Sequence, residues 1–128
     1  MQDEQDSKEK RNEITGKILG VSFQVLNELG SGFLEQVYES SLALALRSEG
    51  LKVNTQISLD VRFRGEIVGR YVADLIVEDI ILCELKTVKA LIPEHQAQVI
   101  NYLKATGLKT GLLLNFGRPT LEYKRLYA

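Results

Sequence analysis

The stretch Tyr71-Val-Ala-Asp74-Leu-Ile-Val77-Glu-Asp-Ile80-Ile-Leu-Cys-Glu84-Leu-Lys86 decides the fold. Its apolar residues run on without alternating, as in strands covered on both faces, and the break at Glu78-Asp79 separates two such strands, Ile67 to Val77 and Ile80 to Val88. They are expected in the middle of a sheet. Three ionisable groups nevertheless interrupt them. Withdrawing an ion from water is costly unless a partner or a metal compensates it, so Asp74, Glu84 and Lys86 require a reason. Glu84 and Lys86, two apart on one strand, project from the same face. Asp74 joins them only in one register. A two-residue turn at Glu78-Asp79 pairs Val77 with Ile80 and sets Asp74 opposite Cys83, on the wrong face. A three-residue loop of Glu78, Asp79 and Ile80, or a bulge of equal effect, pairs Val77 with Ile81 and sets Asp74 across from Glu84. Two carboxylates with room for water and phosphate suit a hard, octahedral Mg²⁺, and an ammonium beside them can orient the attacking water and offset negative charge. The purely structural alternative is a buried ion pair of Lys86 with Asp74 or Glu84.

Outward from this centre, Val53, Thr55, Ile57, Leu59, Val61 and Phe63 alternate with polar residues, the pattern of a strand with one exposed face, and Arg64-Gly65-Glu66 makes the turn into the next strand. Upstream lie two helices. Ile14, Ile18, Val21, Val25 and Leu29 form one apolar stripe, broken at Gly30-Ser31-Gly32. The second helix is expected from about Phe33 to Ser48, with Leu34, Val37, Ser41, Leu44 and Ala45 on its buried face and Gly50 as cap. Downstream, Pro93 opens a helix that reaches Thr106 and ends at Gly107, Gly111 to Gly117 is a fourth buried strand, and Leu121 to Tyr127 alternates weakly as an edge strand. A helix between the third and fourth strands permits parallel pairing through a right-handed crossover. The expected fold class is therefore α/β (α+β): a central mixed sheet flanked by helices. Residues 1–12, almost wholly polar, are expected to be a disordered charged tail, and residues 13–128 a single domain.

The 128 residues are 45% hydrophobic and 26% charged, which fits an ordinary soluble domain and excludes a fibrous or wholly disordered chain. Sixteen Lys and Arg against seventeen Asp and Glu leave a net charge of -1, so no global positive field holds nucleic acid. Contact with it must be local; Lys89, Lys104, Lys109, Arg118, Lys124 and Arg125 are available for phosphates, or are ordinary surface charge. A single cysteine, Cys83, beside a single histidine excludes an internal disulfide and a Cys/His zinc site, so a bound metal must rest on carboxylates. Cys83 itself reads as a small core residue. With neither a signal-peptide core nor a run long enough to span a bilayer, a cytoplasmic protein without membrane contact is expected.

Four motifs fall in order along this framework. Gly32-Phe-Leu-Glu35-Gln-Val-Tyr38 matches the GxxExxY signature; Asp74 is followed, nine residues intervening, by Glu84-x-Lys86; and the last helix carries Gln98-x-x-x-Tyr102. Over residues 13 to 127 the chain resembles the GxxExxY family of the PD-(D/E)XK nuclease superfamily, with the glutamine-tyrosine motif of its RecB-like branch. Ala73 stands where the superfamily's name places proline. The resemblance implies a nuclease-like core in α-β-β-β-α-β order and a metal-dependent phosphodiesterase acting on nucleic acid, DNA ahead of RNA. It implies that Asp74, Glu84 and Glu35 hold Mg²⁺ or Mn²⁺, that Lys86 positions the water nucleophile, and that Gln98 assists. Tyr102 and Tyr38 are then candidate substrate contacts. Glu35 has a plainer reading as the third residue of its helix, capping backbone N–H groups from Gly32 onward. Tyr38 can equally be a core tyrosine with its hydroxyl on a polar partner, and His95 a solvated residue at a helix start. Small size without basic excess points to weak binding alone, hence to a homodimer or a partner protein. The rival expectation is a nuclease-fold module, catalytically silent, that serves in nucleic-acid or protein binding.

Overall fold

The computed structural model describes residues 2–128, Gln2 by its backbone alone. In chain order the elements are α1 (Gln2–Leu29), α2 (Glu35–Ser48), β1 (Val53–Phe63), β2 (Glu66–Val77), β3 (Ile81–Lys86), α3 (Pro93–Thr106), β4 (Thr110–Asn115) and β5 (Glu122–Tyr127). The strands form one sheet in the order β1-β2-β3-β4-β5. Only β3 and β4 run parallel, the pair that the α3 crossover separates in sequence. Pro93 opens α3, and Gly107, left-handed at φ 76°, closes it with its N–H on the Leu103 carbonyl. Arg64 and Gly65, both at positive φ, make the β1–β2 hairpin a two-residue turn with Phe63 facing Glu66.

Helices cover both faces of the sheet. On one side Ile18 of α1 and Leu42 and Leu46 of α2 pack with Leu75, Val77, Cys83 and Leu112; on the other, Val99, Tyr102 and Leu103 of α3 pack with Leu82 and Leu113. This is an α/β architecture of mixed-sheet type, as the element order implies. No helix among the described residues is long and apolar enough to cross a membrane.

The structure corrects four expectations. Helix α1 begins at Gln2, inside the stretch read as a disordered tail; acidic Asp3 and Glu4 suit its first turn and Gln5 bonds Glu9 one turn on, although burial begins only near Ile14. Met1 lies outside the described residues. Helix α2 buries Tyr38, Glu39, Leu42, Ala43 and Leu46, while Leu44 is 69% exposed and Leu34 lies outside the helix, 80% exposed. The stacking of Tyr38 on Phe116, ring centroids 5.0 Å apart, selects that face. Strand β2 is covered on both faces only from Ala73 onward, because its outer half forms a projecting hairpin with β1 and leaves Val68 and Val72 exposed. Finally, β1 does not keep one face to one core. Val53 joins the α1/α2 core, whereas Ile57 and Leu59, of the same parity, pack toward α3; on β2, Leu75 and Ala73 divide in the same way. The exchange occurs at Gln56, whose φ of 51° is left-handed, and at Asp74 across from it.

Candidate active site

The site is built where β2 leaves β3. Val77 faces Ile81, Ile76 faces Leu82 and Leu75 faces Cys83, so Glu78, Asp79 and Ile80 form a three-residue loop. Glu78 and Asp79 both take positive φ, and the Ile80 N–H closes the loop on the Val77 carbonyl at 3.1 Å. The register is thus the one that turns Asp74 toward Glu84. Backbone pairing stops at Leu75 and Cys83 because Ala73 departs toward the α3 core, and side chains take over. The Asp74 N–H donates to Glu84 Oε1 at 2.9 Å, and the Leu85 N–H donates to Asp74 Oδ2 at 2.8 Å. Each carboxylate thereby satisfies a backbone donor that the parting strands would otherwise strand, which explains how β2 and β3 tolerate them.

This proximity has an electrostatic consequence. Glu84 is 4% exposed, and burial first, then the neighbouring Asp74 carboxylate, hold its carboxyl far above the ordinary range, against the Asp74 N–H and Lys86. Glu35 is raised by burial and then by Asp74, with Lys86 opposing. It is the first residue of α2, not the third, since Leu34 is the N-cap. Its helix end faces the Asp74–Lys86 region. No ion pair joins Lys86 to a carboxylate among the described residues, so the simple buried salt bridge is not realised.

Helix α3 brings its motif to the same edge. Gln98 Nε2 donates to the Tyr102 hydroxyl at 3.0 Å. Burial and then Glu84 push the Tyr102 phenol up, a sign that it borders the carboxylates. Its ring lies 5.7 Å from that of Tyr71. Between β1 and α3 runs a groove of about 1130 Å³, lined in part by Ile57, Leu59, Tyr71, Gln98, Tyr102 and Lys104. Tyr38 is elsewhere. Fully buried, it donates its hydroxyl to the Gly30 carbonyl at 2.6 Å and accepts from the Phe33 N–H at 3.2 Å, so it braces the α1–α2 connection and has no open surface for a substrate. His95 accepts the Ile92 N–H on Nδ1 at 3.1 Å, a local bond at the start of α3. Burial pushes the Cys83 thiol up, consistent with a core residue.

Two residues at the site escape a reading of the sequence. Glu39, one turn beyond Glu35 on the same helix face, is 9% exposed, and burial raises its carboxyl first. Gln56 donates from Nε2 to Glu39 Oε1 at 2.5 Å and to Asp74 Oδ1 at 3.4 Å. The i, i+4 spacing from Glu35 was the signal for Glu39; for Gln56 the signal was its place opposite Asp74 in the hairpin register. A third polar residue, Asn115, fixes the loop after Lys86. It bonds the Val88 N–H and carbonyl at 3.0 and 2.9 Å and donates to Glu122 at 3.0 Å. Gly117 is required beside it, since a Cβ there would stand 2.4 Å from the Val88 nitrogen.

Whether these groups suit a divalent cation is a question of donor chemistry. Asp74 and Glu84 offer hard oxygens at one edge, and their mutual repulsion is what a dication neutralises. Among the described residues no three His, Cys, Asp or Glu side chains are gathered closely enough to hold a metal by themselves. The donor set therefore fits a hard divalent cation taken through one or two carboxylates, with its remaining positions on water, and not a closed protein cage.

The profile of a family described as the PD-(D/E)XK nuclease superfamily matches residues 12–126. Among solved structures, the crystal structure of SSO0001 matches with a TM-score of 0.58 at 17% identity, over 72% of this chain and 48% of that one. The chain thus spans about half the length of that protein, and at this identity the likeness concerns the fold. Comparison with curated proteins returns no match.

Proposed function

From a chain that belongs to the PD-(D/E)XK nuclease superfamily, we propose a metal-dependent phosphodiesterase that hydrolyses nucleic acid, DNA ahead of RNA, and that falls within the GxxExxY family. The observation that carries this reading is the cross-strand pair: Asp74 and Glu84 each accept a backbone N–H of the other's strand, with Lys86 two residues on from Glu84 and on its face.

In this reading Asp74 and Glu84 hold Mg²⁺ or Mn²⁺, which when bound supplies Lewis acidity and charge neutralisation at phosphate. Glu84 enters that role by giving up the proton that burial and Asp74 keep on it. Lys86 orients the attacking water and offsets charge on the phosphate oxygens. Glu35, at the N-terminus of α2, assists from outside that pair, its charge acting near Asp74 and Lys86. Gln98 holds the Tyr102 hydroxyl, so the Tyr71–Tyr102 wall of the groove is preset for substrate contact. With a net charge of -1, affinity for nucleic acid is weak unless a second copy or a partner protein contributes.

The test is cleavage of single-stranded, duplex and branched substrates with Mn²⁺, alongside calorimetric titration of the metal. The wild type is expected to cut at least one substrate. Asp74→Asn is expected to lose cleavage and most Mn²⁺ binding; Lys86→Ala is expected to lose cleavage while keeping Mn²⁺ affinity, because lysine acts on the nucleophile and not on the cation. Full cleavage by Lys86→Ala would remove that residue from the chemistry. A second reading, a silent nuclease-fold module, draws on the incomplete ligand set. Nucleic-acid binding with neither Mn²⁺ uptake nor cleavage would select it.

A further inference from the structure

Gln56 stands across from Asp74, bracketed by the pairs Thr55–Leu75 and Ile57–Ala73. The other non-glycine residues at positive φ among those described, Arg64, Glu78 and Asp79, sit in hairpin connections, where that conformation makes the turn; Gln56 takes it inside a strand. The register is the same on both sides of it, so the left-handed residue inserts nothing into the ladder. What it does is redirect a side chain at the level where the strand exchanges one core for the other. A sparsely populated conformation at a non-glycine residue persists where its surroundings over-determine it, and such residues gather at functional sites.

The surroundings here are two carboxylates. A glutamine Nε2 carries two N–H groups, and those of Gln56 are spent on Glu39 Oε1 at 2.5 Å and Asp74 Oδ1 at 3.4 Å. The short bond to Glu39 fixes the amide against α2. The long one reaches Asp74 and leaves lone pairs on Oδ1, while Oδ2 is held by the Leu85 N–H at 2.8 Å. Both oxygens of Asp74 are thereby referred to fixed donors on different strands. A neutral amide achieves this without competing with a cation for charge, as lysine or arginine in the same place would. We propose that Gln56 is a positioning residue: anchored by Glu39, its carboxamide holds the Asp74 carboxylate in the orientation in which it shares a divalent cation with Glu84. The proposal rests on the metal-dependent reading above and extends it to two residues outside the superfamily pattern.

The test is calorimetric Mn²⁺ affinity measured beside melting temperature in EDTA, on the full chain. Gln56→Gly removes the amide and relieves the left-handed backbone. It is expected to weaken Mn²⁺ binding roughly tenfold, the usual effect of losing a group that orients a ligand, with a melting temperature equal to or above that of wild type. Gln56→Asn, which also tolerates positive φ but is one methylene too short to span Glu39 and Asp74, is expected to match it in affinity. Glu39→Ala is expected to weaken binding as well, and the double variant Glu39→Ala/Gln56→Gly to lose clearly less than the sum of the two, because the anchor and the amide share one bridge to Asp74 beside the direct influence of Glu39 on that carboxylate. Wild-type affinity in Gln56→Gly and Gln56→Asn overturns the proposal, as does full additivity of the Glu39 and Gln56 losses. Wild-type affinity with a lowered melting temperature assigns Gln56 a structural role instead. If the unaltered chain binds no Mn²⁺, the metal-dependent reading falls and takes this one with it; tight binding by wild type with no change in the variants defeats this one alone.

Discussion

Because Glu84 keeps a proton that a free glutamate gives up, its carboxyl standing at about 8 against an ordinary 4.5, the folded chain and the unfolded chain hold different numbers of protons between those values. Across that window the folded state binds more, so stability falls as pH rises, and the loss is complete only above about 8. The slope from one such group is at most about 1.4 kcal/mol per pH unit. In EDTA, the melting temperature is therefore expected to decline from pH 5 to pH 8, and Glu84→Gln, which keeps an oxygen for the Asp74 N–H, is expected to flatten that decline. An equally steep fall in Glu84→Gln would place the titrating group elsewhere. Asp74, Glu84 and Lys86 were legible in the sequence because ionisable groups inside apolar strands are anomalies. Gln56 and Glu39 gave no such signal. A polar residue on an alternating strand and a glutamate on a helix are ordinary, and their meaning depends on which residue stands opposite.

At the scale of elements, parity required either a three-residue loop at Glu78-Asp79-Ile80 or a bulge of equal effect for Asp74 and Glu84 to meet, and the register has the loop. Helix α3 was equally legible, bounded by Pro93 and Gly107, two residues whose backbone limits act locally. Helix α2 was not. Leucines at positions 34, 42, 44 and 46 satisfy more than one helical stripe, and the choice is made by a distant partner, Phe116, on which Tyr38 stacks. The exchange of cores along β1 was hidden for a similar reason, since Val53 to Phe63 alternates without interruption while a single φ at Gln56 redirects it. The α2 assignment has a direct check. Leu42→Ala is expected to cost about 2–5 kcal/mol in denaturant unfolding, as for a buried leucine, and Leu44→Ala to stay within about 0.5 kcal/mol, as for a surface one. The reverse order would restore the stripe through Leu34, Val37 and Leu44.

For the whole molecule, the arrangement of charge matters more than its sum. A net charge of -1 would let the chain ignore both cations and polyanions, yet Glu35, Glu39 and Glu84 all lie within the electrostatic reach of Asp74, which is among the causes that raise each of them. The folded state thus stores repulsion that the unfolded chain, with these groups dispersed in water, does not. A dication that binds only the folded state removes it, stabilising by RT ln(1 + [L]/Kd), or about 2.7 kcal/mol at a hundredfold excess over Kd. For a chain of this size a gain of 1 kcal/mol raises the melting temperature by roughly 4 °C. Millimolar Mn²⁺ is therefore expected to raise the wild-type melting temperature by several degrees, in proportion to the logarithm of its concentration once it exceeds Kd. Asp74→Asn should move in two opposite ways. In EDTA it is expected to melt above wild type, because one of the clustered charges is gone while an oxygen remains for the Leu85 N–H. On adding Mn²⁺ it is expected to change little, so that the order of the two proteins reverses. An Asp74→Asn variant with the full metal response would take Asp74 out of the cation site, and one that melts below wild type in EDTA would mean that its bond to Leu85 outweighs the repulsion.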